Sequence, residues 1–248
     1  MSKVIDITSC LDDLFPRETA ESYDNPGLLT GSMSKDVSAC VLALDITSDV
    51  LAFAKEEGAD MIICHHPLIF GGINSVSEET ITGKLISEMI RNDIASFAAH
   101  TNLDKNHEYS NDRLAILLGG ESLAHSENVS CGTFCELKEQ TNIKSFVNFV
   151  ADRLDATGAI SINNPDSSVR KLFVQGGAFD EDSIPEIIAA GVDTVVTGEI
   201  KHHLAVLLNE YGINSIVAGH RETERVFLPY LAEVLMTKFT DVRFLVRL

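Results

Sequence analysis

Three short runs in the first half of the chain are apolar at almost every position: residues 39–44 (Ala-Cys-Val-Leu-Ala-Leu), 61–64 (Met-Ile-Ile-Cys) and 94–99 (Ile-Ala-Ser-Phe-Ala-Ala). A strand without in–out alternation must be covered on both faces, and a parallel sheet flanked by helices provides that cover. The intervening segments have the required character. Residues 50–57 read as a helix stopped by Gly58, and residues 83–91 as a second one. The pattern predicts βαβ units with right-handed crossovers. Ahead of them, Val4, Ile5, Ile7, Leu11, Leu14 and Phe15 give an amphipathic opening helix, and residues 22–27 (Ser-Tyr-Asp-Asn-Pro-Gly) a tight reversal.

The plan recurs. Gly58-Ala59-Asp60-Met61-Ile62-Ile63 matches Gly191-Val192-Asp193-Thr194-Val195-Val196, each a helix stop feeding a buried strand. In each half the next strand ends in a histidine with an acid four places on, His100 with Asp104 and His220 with Glu224. The expected fold class is α/β, with two similar α/β subdomains and mainly parallel sheets, a division that suits 248 residues. The polar, turn-rich stretch 105–130 marks the boundary. Residues 1–125 with 215–248 are expected to form the first subdomain, carrying most of the ligands named below, and 126–214 the second.

Composition narrows the partners. Nineteen Lys and Arg against 37 Asp and Glu leave a formal charge of −18, which repels a phosphate backbone, so nucleic acid is not an expected partner. Bound divalent ions would still attract a small anion locally. Five cysteines are expected as reduced thiols, and Cys131 with Cys135 lack the further ligands of a zinc cage. No stretch approaches the ~20 apolar residues that span a bilayer, and the opening residues carry no cationic leader; no membrane association and a cytoplasmic location are the expectation.

In a parallel sheet, ligands collect beyond the carboxyl ends of the strands. Three strand ends here carry metal-type side chains: His65 and His66 before Pro67, His100 with Asp104, and His220 with Glu224. Adjacent histidines in extended backbone point apart, which predicts that His65 and His66 face different ions of a two-metal site. His220 and Glu224, four apart on a helix, would address one ion, with Glu224 the natural bridge. His100 is the candidate for orienting a ligand or transferring a proton. Asp45 is either an N-cap or a partner to a ligand. His202 and His203 form a second pair, expected inside a helix after Gly198 and without a ligand role, and His107 and His125 read as solvated loop residues.

The segments Ile62-Ile63-Cys64-His65-His66-Pro67-Leu68-Ile69-Phe70, His100-Thr101-Asn102-Leu103-Asp104 and Gly219-His220 with Thr223-Glu224 together resemble the GTP cyclohydrolase 1 type 2 homologs, also called Ngg-interacting-factor-three-like proteins. Tyr23-Asp24-Asn25-Pro26-Gly27-Leu28, Leu44-Asp45-Ile46-Thr47 and Thr197-Gly198-Glu199 extend the likeness over nearly the whole chain. The resemblance implies two divalent metal ions per subunit, zinc, iron, manganese or nickel, held by His65, His66, Asp104, His220 and Glu224. It also implies a site in the cleft between the subdomains and a hollow homohexamer; the expected function is hydrolysis of a nucleotide or similar anionic small molecule, with a non-catalytic metal-binding, metal-delivery or scaffold role as the alternative. The departures are Tyr23, where the family commonly has Trp, and Arg221-Glu222 after His220.

Overall fold

In the computed structural model, which describes residues 1–161 and 166–248, the chain opens on α1 (Val4–Leu14). Its Val4, Ile7, Thr8 and Leu11 recur at helical spacing and are buried. β1 (Gly27–Thr30) and β2 (Ala39–Ala43) follow, then α2 (Ser48–Glu56), β3 (Met61–Cys64), α3 (Ile81–Arg91), β4 (Ala95–Ala98) and the single turn α4 (Thr101–Asp104). Thr47 and Thr80 start α2 and α3, their side chains accepting from Val50 N and Gly83 N. All residues of β2, β3 and β4 are buried. Val41, Ile62 and Ala98 pack with Leu51, Ala54, Leu85 and Met89 of α2 and α3 in one cluster.

Beyond it come α5 (Asn111–Leu117), β5 (Gly120–Ala124), β6 (Thr133–Asn142), α6 (Ile143–Leu154), β7 (Ile160–Ser161), β8 (Ser168–Ala178) and α7 (Ile184–Ala189). β9 (Thr194–Glu199), α8 (His202–Glu210), β10 (Asn214–Val217), α9 (His220–Glu224), α10 (Phe227–Lys238) and β11 (Arg243–Arg247) complete the chain. Two compact units result: Met1–Asn106 with Leu228–Leu248, and His107–Phe227. No helix among the described residues is long and apolar enough to cross a membrane.

The first unit holds a sheet in the order β1-β4-β3-β2-β11, parallel except for edge strand β1. The second holds β5-β6-β8-β9-β10-β7. There the parallel pairs β8–β9 and β9–β10 sit at the centre, and β5, β6 and β7 add antiparallel pairs at the flanks. Alternation along β8 and β9 gives this sheet two covered faces. Leu172, Val174 and Val196 pack with Leu114, Phe146 and Val150 on one side; Phe173 and Val195 pack with Ile187, Leu204 and Leu208 on the other.

The unit boundary differs from the one expected at 125/126 and 214/215. Leu114, Ala115 and Leu118 belong to the second core, β5 pairs with β6, and β10 pairs with β9. Consequently His220 and Glu224 lie in the second unit, and the first does not carry them.

The repeat is visible bond by bond. Asp60 Oδ2 accepts from Ser38 N (2.8 Å) and Ala39 N (3.4 Å), while Asp193 Oδ2 accepts from Arg170 N (3.0 Å) and Lys171 N (2.8 Å). Asp60 N donates to Ala39 O and Asp193 N to Lys171 O; Ala95 N donates to Asp60 O and Asn214 N to Asp193 O. At the far end, Ala99 N donates to Cys64 O and Ala218 N to Thr197 O. Those last bonds set Ala99 opposite Ala218 in the repeat. His100, the N-cap of α4, is therefore the counterpart of Gly219, the N-cap of α9, and His220 lies one position further on. The shared His-to-acid spacing of the two halves is thus out of register by one residue.

Candidate metal centre

In the first unit, His65 and His66 follow β3, and both backbone N–H groups donate to Leu44 O (3.1 and 3.0 Å). The backbone bends at this pair instead of continuing extended. As a result the two rings do not diverge as extended backbone predicts: their centroids are 4.9 Å apart. His100, at the end of β4, completes the group at 5.0 Å from His65 and 5.5 Å from His66. One nitrogen from each of the three lies within 4.8 Å of the others. Asp104 reaches the same group, with Oδ1 3.6 Å from His65 Nε2.

Each of these imidazoles is held at Nδ1. His65 Nδ1 meets Ala99 O at 2.8 Å, His66 Nδ1 meets Asp45 Oδ1 at 2.8 Å, and His100 Nδ1 meets Asp24 Oδ1 at 2.9 Å. A carbonyl or an ionised carboxylate only accepts, so each Nδ1 carries the proton and donates it. In the neutral ring the lone pair is then on Nε2. This is the arrangement by which backing groups set the tautomer and direction of metal-binding histidines.

Asp24 is the most constrained of these partners. Its side chain is buried; Oδ1 also accepts from Asn25 N at 2.7 Å, and Oδ2 from Thr101 N and Oγ1. Burial pushes its pKa up, but the hydrogen bonds from Thr101, His100 and Asn25 outweigh this and hold the carboxyl below its ordinary range. His100 moves down as well, chiefly through burial and next through the neighbouring His65, against the opposing pull of Asp24. A neutral His100 is favoured, with its lone pair available.

In the second unit, α9 places His220 and Glu224 one turn apart, with Nε2 and Oε2 separated by 3.0 Å. Glu199, at the end of β9, meets His220 Nδ1 at 3.1 Å, so this fourth imidazole is backed like the other three. Two glycines make room. A Cβ on Gly177, whose φ is +67°, would run into Glu224 Oε1, and one on Gly198 would strike Thr223 Oγ1 and Gly177 O. Thr223 anchors the turn by accepting from Gly177 N (3.1 Å) and donating to Gly219 O (2.9 Å).

The expected ligands thus fall into two sets, His65, His66 and Asp104 in one unit and His220 and Glu224 in the other. Asp45 is not an N-cap: Thr47 caps α2, and Asp45 instead holds His66. Asp24 and Glu199 went without a role in the sequence reading. Their partners are 76 and 21 residues away, and only the loop motifs Tyr23-Asp24-Asn25 and Thr197-Gly198-Glu199 hinted at them. Away from these sets, His202 and His203 are exposed on α8. His107 and His125 are more structured than solvated loop residues: their rings stack at 3.8 Å, and His125 Nε2 lies 2.8 Å from Asp112 Oδ1.

The donors fit a divalent metal: imidazole nitrogens with fixed tautomers beside carboxylates suit zinc, iron, manganese or nickel. Comparisons with known proteins agree with the motifs. A Clostridium perfringens protein called a GTP cyclohydrolase 1 type 2 homolog is 29% identical over 252 residues, covering 98% of this chain and 95% of that protein. A Clostridium acetobutylicum protein of the same name is 31% identical over 229 residues, covering 90% and 85%. The crystal structure of a hypothetical protein from Staphylococcus aureus superposes with a TM-score of 0.91 at 27% identity, covering 99% of this chain and 96% of that one. Since the family model for Duf34/NIF3 (NGG1p interacting factor 3) also matches residues 2–248, this chain belongs to the NIF3 family.

Proposed function

We propose that His65, His66, Asp104, His220 and Glu224 hold two divalent ions, and that the chain hydrolyses a nucleotide or similar anionic small molecule. The observation that carries this reading is the common backing of the three histidines among these five, each with Nδ1 held by an acceptor. Such backing leaves the lone pair on Nε2 and fixes its direction, the arrangement that metal-binding histidines use. The names of the clostridial relatives supply the nucleotide. When bound, the ions would act as Lewis acids and lower the pKa of water toward neutrality.

The chain's own residues supply the remainder. His100 Nε2 takes and returns the proton, while Asp24 keeps Nδ1 protonated and the ring oriented. Three histidines and two carboxylates leave coordination positions for water and substrate, which distinguishes a reactive centre from a closed storage site. On GTP, the reaction would be hydrolytic opening of the guanine imidazole ring with release of formate. We further propose a homohexamer in the cytoplasm, as the resemblance implies; light scattering on the purified protein tests the assembly.

A second reading has an observation of its own. The His100 nitrogen lies with those of His65 and His66 within 4.8 Å, a grouping in which His100 would be a ligand of a protein that stores or delivers ions. Elemental analysis together with a formate assay on metal-loaded protein separates the two. Hydrolysis predicts formate from GTP, its loss in Glu224→Gln, and His100→Gln with full metal content but at least a hundredfold lower turnover, in line with general acid–base contributions of roughly 10²–10⁴. Loss of metal in His100→Gln, with no formate from the wild type under any metal, supports storage.

A further inference from the structure

Tyr23 and Phe70 are 62% and 53% exposed, large apolar rings left in solvent beside the imidazole group. Isolated exposed aromatics are ordinary surface features, but these two touch, with centroids 6.2 Å apart and planes at 63°. Phe70 in turn meets His100 edge-on, at 6.0 Å and 83°. Their backbones are fixed. Asn25 Nδ2 donates to Ile69 O at 2.7 Å, tying the Tyr23 loop to the Phe70 loop, and Asp24 fastens the Tyr23 loop to His100 and Thr101. Leu68 and Ile69 pack against the core cluster of the first unit, so Phe70 extends from a rooted segment.

Leaving two apolar rings in water has an unfavourable hydration cost, and pinning both loops adds an entropic one. A planar ligand ring would offset both, because stacking uses pre-placed aromatic faces without ordering them on binding. We propose that Tyr23 and Phe70, inclined to each other at 63°, form a platform of one ring face flanked by a second ring for a planar heteroaromatic ring of the substrate, beside His100. This rests on the nucleotide reading given above and deepens it. Phe70, whose ring centroid lies 6.0 Å from that of His100, would bring a bound ring close to that imidazole.

Guanosine, adenosine and a pterin, which have rings without phosphates, and inorganic triphosphate, which has phosphates without a ring, are titrated by calorimetry. The titrations use wild type, Tyr23→Ala, Phe70→Ala and Phe70→Leu, each chelated and metal-loaded. At least one ring compound is expected to bind the wild type, and either alanine variant to weaken it by roughly tenfold, the usual scale of a stacking contact. Phe70→Leu keeps the apolar bulk but lacks the π-face, and should recover only part of the loss. Within each metal state, triphosphate affinity should be unchanged among the variants. If no ring compound binds, or both alanine variants bind as the wild type does, the platform is overturned. Metal content, measured on the same samples, reports separately on the ligand set: ring binding without metal uptake sinks the metal reading and leaves the platform standing.

Discussion

Asp24 does more for the candidate site than its loop position suggests, because one buried carboxylate accepts from His100, Asn25 and Thr101 together. Converting it to asparagine keeps the shape and removes the charge, so the His100 tautomer is no longer enforced. Imidazole 15N shifts should show His100 protonated at Nδ1 in the wild type and a mixture of tautomers in Asp24→Asn. The fold should lose about 1–3 kcal/mol, the scale of charged hydrogen bonds whose partners stay buried; urea denaturation measures it. An unchanged tautomer would assign the orientation of His100 to packing instead.

Among the elements, α9 depends on glycines of two neighbouring strands. Gly177→Ala places a methyl against Glu224 Oε1 at a residue whose φ is +67°. Strain of this kind costs on the order of 1–3 kcal/mol, so a lower melting temperature is expected, together with weaker retention of metal by dialysis. Gly191→Ala is the control, because it has the same φ of +67° while its added methyl meets nothing within 4 Å. The helix stop before β3 carries a pH signature. Burial raises the pKa of Asp60, but the Ser38 and Ala39 donors and then Lys35 overcome this and hold it below the ordinary value. A depressed carboxylate contributes stability that is complete above its unfolded pKa of about 3.9 and disappears as pH falls through the folded value. Asp60→Ala should therefore lose ~2 kcal/mol at pH 7 and very little in strong acid; urea titrations at both ends of that range check it.

At the scale of the whole molecule, the charge of −18 makes self-repulsion a general destabilising force, relieved by salt screening. Divalent ions held at the proposed site would relieve it locally and add mass-action stabilisation of about 2.7 kcal/mol at a hundredfold excess over Kd. For a chain of this size that corresponds to a rise of roughly 5–10 °C in melting temperature. Calorimetric scans should show the rise with zinc or manganese above what an equal ionic strength of sodium chloride provides, and its reversal by chelator. Metal and sodium chloride giving the same shift would reduce the effect to screening.

The strands, the helix stops and the metal-type residues at strand ends were legible in the sequence, because apolar periodicity, Gly58 and Gly191 act over a few residues. The acceptors behind His65 and His100 were not, although Asp45 behind His66 was one of two roles expected for that residue. Ala99 O and Asp24 are 34 and 76 residues from the histidines they hold, and no local pattern encodes which loops a sheet brings side by side. The same holds for the convergence of His65 and His66, which required a bend after β3, and for the one-residue offset between the α4 and α9 turns. The antiparallel flanks of the second sheet likewise depend on which strands pair at long range. Short-range periodicity determined the elements and the donor types, while hydrogen-bond register across the sheets decided how those donors are backed and aimed.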